Sequence, residues 1–411
     1  MSYFRILLAA GLWLGSLSLA QAQGKLSGVV QDSATREPLA FASVFLANTT
    51  LGATTTEDGK FEFARVPAGT YDLVGSYVGY RLSKQSITIA KTPQQATLLL
   101  ASTGQQLGEV VVQPEPNKPE DYQKFSALFL GTSTFSEQCR ITNPEKVRVY
   151  YDDSTQTLTA RARDFVQVDN DALGYRLKYY GLYFAHDDDA QSITYYGEPR
   201  FEELKPQDDT QRQQWAANRL TAYQGSFMHF LRAVYGNRLR QDNFIVQRVG
   251  EAPNPRFRRA DAQRRALLAV RPEGPFSAAE QDSLTRWGRV PPTLTTLFPK
   301  ARPIDSLRRV STNGRATFLR FKDELRVTHF GEAPDARFGT ASAAAAVPAG
   351  PATSAYLSQR QVSVLRLPDG EAEIQADGSL RDPLEAAIGG YWGFEKIGEF
   401  LPLDYVPQAG K

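Results

Sequence analysis

From Gly24 to about Tyr80 the chain alternates apolar and polar residues in short runs. Turn residues interrupt those runs about every eight to twelve positions, the pattern of a small antiparallel β-sandwich. Phe61 and Phe63 fall on one face of such a strand and Glu62 on the other. Glu57-Asp58-Gly59-Lys60 supplies the Asp-Gly pair of a tight hairpin, because glycine takes a positive φ without strain. Val66-Pro67-Ala68-Gly69 has the proline and glycine placement of a type I turn.

After the sandwich the pattern changes. Residues 113–120 are rich in proline (Pro114, Pro116, Pro119) and predict a semi-rigid extended linker. Val147 to Tyr151 and Leu158 to Arg163 read as strands. Gly174 to Ala185 and Ser192 to Leu204 read as a long hairpin about Asp187-Asp188-Asp189. Ala216, Leu220, Tyr223, Phe227, Phe230 or Leu231, and Val234 then recur at spacings of three and four. That spacing predicts one long amphipathic helix, opened by a Thr210/Gln213 capping box and stopped at Gly236-Asn237. Asn243 to Val249 is a strand, and Ser277-Ala278-Ala279-Glu280 opens a short helix that buries Leu284 and Trp287. Two further hairpins are expected. Arg315 to Phe321 pairs with Glu324 to Phe330 around Lys322-Asp323, and Gln361 to Leu367 with Glu371 to Ile374 around Asp369-Gly370. The Ala-rich residues 340–355 have no period and read as a loop or insertion, while Phe394 to Phe400 reads as a last helical turn or two. The expected fold class is therefore an all-β sandwich (transthyretin/Ig-like) at 23–112 followed by an α+β domain at 121–411. A transmembrane barrel is disfavoured, since its regular segments of ~10 alternating residues are not kept.

The spaced residues of the first domain carry a resemblance. Gly28-Val29-Val30 with Asp32, Glu37-Pro38-Leu39, Phe41-Ala42 with Val44, Thr55 with Glu57-Asp58-Gly59 and Phe61, Val66-Pro67 with Gly69 and Tyr71, and Val78-Gly79-Tyr80 closely resemble the carboxypeptidase-like regulatory domain. The resemblance implies a transthyretin-like sandwich at the N-terminus of a bacterial envelope protein, and no peptidase activity. Leu107-Gly108-Glu109-Val110-Val111-Val112 resembles the segment by which outer-membrane receptors with this module dock on their energy-coupling partner through strand addition. The plainer reading of Glu109, Val110, Val111 and Val112 is a last strand or edge of the sandwich. The C-terminal GYWGFEKIGEFLPLDYVP is loosely similar to uncharacterised proteins carrying the same module.

Charge and composition then narrow the classes. Lys plus Arg is 47 against 45 Asp plus Glu, so no overall field favours nucleic acid. Residues 1–22 read as a cleaved secretory signal: Arg5, the apolar Ile6 to Leu19, then Ala20-Gln21-Ala22. The apolar run is short of the ~20 residues a bilayer crossing needs, so no transmembrane span is expected after cleavage. The expected location is exported: periplasmic, outer-membrane associated or at the cell surface. Cys139 is the sole cysteine, which rules out an intramolecular disulfide and reads as a small core residue.

Catalytic chemistry is not legible. His186, His229 and His329 lie far apart in sequence without a ligand-spaced partner, and read as structural; no G-x-S-x-G, S-x-x-K or phosphate-loop motif occurs. No catalytic residue, metal ligand or cofactor is therefore assigned. Asp187-Asp188-Asp189 lacks the spacing of a Ca²⁺ loop and reads as a solvated tip. The five arginines between Arg256 and Arg265 read as the exposed face of a helix backed by Leu267 and Leu268, or as a contact for lipid phosphates or an acidic glycan. Tyr175, Tyr179, Tyr180, Tyr183, Phe184, Tyr195 and Tyr196 crowd the long hairpin and read as a surface for sugar rings or a protein interface; on the plainer reading alternate members pack beneath the long helix and only the outward set is left to bind. The expected function is a non-catalytic envelope protein with a binding or assembly role, its partner an envelope protein or a glycan. The alternatives are an accessory of a TonB-dependent uptake receptor acting through Glu109 to Val112, and a hydrolase with a site built from distant residues.

Overall fold

Alternating burial is clearest in the first, fourth and last of the seven opening strands. The computed structural model describes residues 23–103, 117–271, 274–339 and 360–407. In β4 (Lys60–Pro67), Phe61 and Phe63 are buried and Glu62 is exposed, as a two-residue period requires. β1 (Gln23–Asp32) lies between β4 and β7 (Gln94–Leu100) in one sheet, antiparallel to the first and parallel to the second. The facing sheet runs β3 (Gly52–Thr54), β2 (Ser43–Leu46), β5 (Gly69–Ser76), β6 (Ser83–Ile89). Leu26, Val30, Phe61, Leu73 and Leu98 fill the space between them. Gly59 takes φ 71° and turns the chain as expected, but no hairpin closes there. β3 and β4 belong to opposite sheets, so the turn is a corner between layers.

The chain divides into two compact units, the divisions falling after Leu220 and before Ile397. The first unit continues with α1 (Pro119–Leu130), whose first residues take the end of the expected 113–120 linker. Then come β8 (Cys139–Ile141), β9 (Val147–Asp152), β10 (Thr157–Ala162), β11 (Phe165–Asn170), β12 (Tyr175–Asp187) and β13 (Ser192–Glu203). The long β12–β13 hairpin is as expected, and β11 and β10 pair in succession along the other edge of β12. Phe125 and Phe129 of α1 cover one face of this sheet: Phe125 meets Phe184 at 5.2 Å and Phe129 meets Tyr179 at 5.8 Å. The sandwich covers part of the other face, where Phe45 and Val74 cluster with Tyr180 and Phe165. The C-terminal segment ties the unit together. Asn170 Nδ2 donates to the Gly398 carbonyl at 2.9 Å, the Leu403 N–H donates to the Asn48 carbonyl at 2.7 Å, and the Thr50 N–H donates to Asp404 at 3.0 Å.

The expected long helix is two helices. α2 (Asp209–Tyr223) and α3 (Phe227–Tyr235) are separated at Gly225, φ 81°, and Ser226 caps α3 by accepting the His229 N–H. A left-handed residue ends a helix, and a capping serine begins the next. α2 also starts earlier than expected, with Asp208 accepting the Gln211 N–H. It buries Trp215, not Ala216.

The second unit, Thr221–Lys396, is again two layers. β14 (Phe244–Pro253) is followed by α4 (Pro255–Val270), α5 (Ala278–Gly288) and β15 (Thr293–Ala301). Next are β16 (Arg308–Val310), β17 (Thr317–Arg320), β18 (Glu324–His329), β19 (Gln361–Arg366), β20 (Glu371–Ile374), β21 (Ala387–Gly390) and α6 (Tyr391–Phe394). One sheet runs β15-β14-β18-β19-β21 and the other β16-β17-β20. Both remaining hairpins are corrected by this topology: β17 and β18 lie in different sheets, and so do β19 and β20. Phe230, Phe244, Leu325, Leu365 and Trp392 share the intervening core with Leu319 and Ile374. The Ser277–Glu280 capping box forms as expected, but Leu284 and Trp287 are only half-buried. The final helical turns lie at Tyr391–Phe394 and Ile397–Glu399, earlier than the 394–400 expectation. Residues 340–355 lie outside the described residues. The described chain is mostly β-sheet with few helices, and none of those helices is long and apolar enough to cross a membrane.

Replacing Gly225 by alanine forces a side chain into left-handed backbone and puts its Cβ 1.7 Å from Gln361 Oε1. A loss of about 2 kcal/mol or more is expected in urea unfolding. Gly288→Ala, with open space around its Cβ, is expected to leave stability unchanged or raise it slightly.

Candidate functional site: an aromatic–arginine ladder

Pairing register places four side chains in one row across the sheet of the first unit. Arg148 of β9 faces Arg161 of β10, Arg161 faces Tyr183 of β12, and Tyr183 faces Tyr196 of β13. The Tyr183 and Tyr196 rings stack at 4.9 Å with 23° between planes, and the Arg161 guanidinium lies 4.8 Å from the Tyr183 centroid on the other side. The neighbouring row is Tyr150, Thr159, Ala185 and Thr194. Tyr150 is 65% exposed and Tyr196 51%. The face carries aromatic rings, hydroxyls and guanidinium groups without a leucine, isoleucine or valine in either row.

A β-bulge creates this arrangement. The register slips between Tyr180 and Tyr183, at Gly181 with φ 61°. Without the slip, Tyr183 would share a face with Tyr179 and lie beneath α1; with it, Phe184 does so and Tyr183 turns outward. The inward set is therefore Tyr179, Phe184 and Tyr195, packed under α1 and not under the helix expected to cover them. Tyr175 packs on Phe201, with the Arg219 guanidinium 3.9 Å from its ring. A lone glycine inside an alternating strand is the signal that could have located the bulge.

Glu109, Val110, Val111 and Val112 lie outside the described residues. His186 is held at both nitrogens, by the Ser192 carbonyl at 3.1 Å and Asp188 at 2.9 Å. Asp188 also accepts from Lys124 at 2.6 Å and from the Tyr151 hydroxyl at 2.8 Å, which holds its carboxyl below the usual range. The tip expected to be solvated is thus anchored to α1 at Asp188, while Asp187 caps the turn by accepting the Asp189 N–H.

His229 and His329, far apart in sequence and read there as structural, come together in the second unit with ring centroids 5.6 Å apart. Phe244 packs on both rings, at 5.0 and 4.8 Å, and the Gly225 N–H donates to His229 Nδ1 at 3.1 Å. Burial pushes His229 down to about 3 and His329 down to about 4, so both are neutral near pH 7. Among the described residues no three His, Cys, Asp or Glu side chains are placed to hold a metal ion. Cys139 is half-buried, and burial, followed by Glu399 and Asp171, pushes its thiol up to about 12. That makes it a poor nucleophile.

Residues 26–112 are a CarboxypepD_reg-like domain, which accounts for about a fifth of the chain. No curated protein matches the sequence. Among solved structures, the chain is similar to a pilus 2b backbone protein of group B streptococcus at 19% identity and TM-score 0.18. That match covers 19% of this chain and 41% of the pilin, so the chain spans less than two thirds of its length. A putative carbohydrate binding protein from Bacteroides uniformis matches at 10% identity and TM-score 0.16, over 43% of this chain and 78% of that one. A putative membrane-associated protein of unknown function from Bacteroides fragilis matches at 11% identity and TM-score 0.17, over 90% and 98%. At these scores none of the three bears on function.

Two outcomes are expected. Phe184→Ala removes a fully buried ring and costs about 3–5 kcal/mol in chemical unfolding, whereas Tyr196→Ala costs under about 1 kcal/mol. His329 resists protonation when folded but not when unfolded, so its contribution to stability is complete above its ordinary value of 6.5 and is lost as the pH falls toward 4. The deficit of His329→Asn relative to the parent should shrink by about 1.4 kcal/mol per pH unit across that window.

Proposed function

We propose that this chain is a non-catalytic exported protein of the cell envelope that binds a glycan through the Tyr183–Tyr196 ladder. On this reading it acts in the periplasm, at the outer membrane or at the cell surface, and the part after residue 121 is an α+β binding domain joined to the regulatory sandwich. The observation that carries it is the stacked, outward tyrosine pair beside Arg161, on a sheet whose opposite face is packed. Tyr183 is stacked on both sides, so the exposed rings of Tyr196 and Tyr150 offer the flat apolar surface to the C–H face of a sugar, and the hydroxyls and guanidinium groups offer hydrogen bonds to its rim. A face without aliphatic anchors suits a polar ligand better than the desolvated centre of a protein interface.

Calorimetry against envelope polysaccharides with the exported chain tests this. Tyr196→Ala and Arg161→Ala are each expected to weaken binding about tenfold or more, while deletion of residues 107–113 leaves it unchanged. Unaltered affinity in both point variants would overturn the ladder as the site. Loss of an energy-coupling partner from pull-downs on deleting 107–113, with no glycan bound, would favour the receptor-accessory role. Turnover of a peptide or sugar would favour a hydrolase.

A further inference from the structure

The second unit carries a helical arm with little buried against it. α4 buries only Ala260 and α5 buries no residue. Asn254 fixes the base of the arm: its side chain accepts the Arg256 N–H at 3.0 Å and donates to the Pro291 carbonyl at 2.8 Å. Arg265 pairs with Asp261 one turn back, whereas Arg256, Arg258, Arg259 and Arg264 make no ion pair among the described residues; Asp261 is held low first by Arg265 and then by the field of Arg264. All four are exposed. Five arginines against one aspartate on this helix stand out in a chain whose formal net charge is only +2.

At about 100° per residue the four unpaired arginines project around the helix and not along one side. A groove of about 630 Å³ at the base brings Arg258 and Arg265 beside Phe257. Val270, at the end of α4, is 78% exposed, and Leu267, Leu268 and Trp287 are only half-buried. Guanidinium groups on every side suit a layer of phosphates that surrounds the arm, and partly exposed apolar side chains suit the boundary below such a layer. The geometry points to the α4–α5 arm as a docking element for the phosphate headgroups of an anionic bilayer, separate from the ladder of the first unit.

The test is sedimentation of the exported full chain with vesicles of phosphatidylcholine alone and of phosphatidylcholine with phosphatidylglycerol, at low and high salt. Binding is expected only to the anionic vesicles, falling with salt, and about tenfold or more weaker in Arg256→Ser/Arg259→Ser/Arg264→Ser. The variant's thermal unfolding should stay close to the parent's, since the substituted side chains are exposed, and an all-lysine version at the same positions should retain binding. Equal binding to both vesicle types, no binding, or an unaffected serine variant would overturn the proposal. So would vesicle release by dilute inorganic phosphate at constant ionic strength, which would identify a free anion as the ligand. Capture by a soluble acidic polysaccharide in preference to vesicles would overturn it as well.

Discussion

The first unit depends on how one aromatic ring is shared. Tyr180 projects from the six-stranded sheet against Phe45 of the sandwich, 4.8 Å away, and against Phe165 at 5.1 Å. A buried aromatic pair contributes about 0.5–1.5 kcal/mol beyond the area it removes from water. β2 can take part because it is buried on both faces, with Val44 and Leu46 in the sandwich core and Phe45 turned outward. The sandwich thereby becomes a lid over one part of the neighbouring sheet. Where that lid stops, the same face emerges as the aromatic–arginine ladder.

Beneath the ladder, α1 provides the opposite constraint. Phe125 and Phe129 stack on each other at 5.3 Å and pack on the inward aromatics of β12 and β13. Lys124, one residue before Phe125, reaches the hairpin tip at Asp188. The strands that carry the outward tyrosines are therefore held from behind by apolar packing and at the end by a charge network. Such support holds the outward face in a defined shape.

The sequence made the strands and many turns legible, and much less of what the strands pair with. Gly59, Asp323 and Gly370 all adopt positive φ, as their local chemistry suggests. Each nevertheless passes the chain between layers, because a turn sets a local reversal while pairing is decided by which faces need cover. β18 shows why: all six of its residues are buried, including Glu324, Arg326 and His329, so it lies inside a sheet between β14 and β19. The ladder was half-legible, since the aromatic crowding was plain but its division into inner and outer sets rested on a one-residue slip at Gly181. The helix break at Gly225 was masked by apolar spacing that runs uninterrupted across it.

The closing segment bears on how such a chain matures. The contact between Thr50 and Asp404 joins residues 354 positions apart, and Gly398 and Leu403 add ties to Asn170 and Asn48. Contacts of this range are slow to form, because most of the polypeptide must be ordered before they reward the closure. The seam beside Asn48 therefore closes only once residues 398–404 are in place, so the opening strands and this distant segment gain their final stability together.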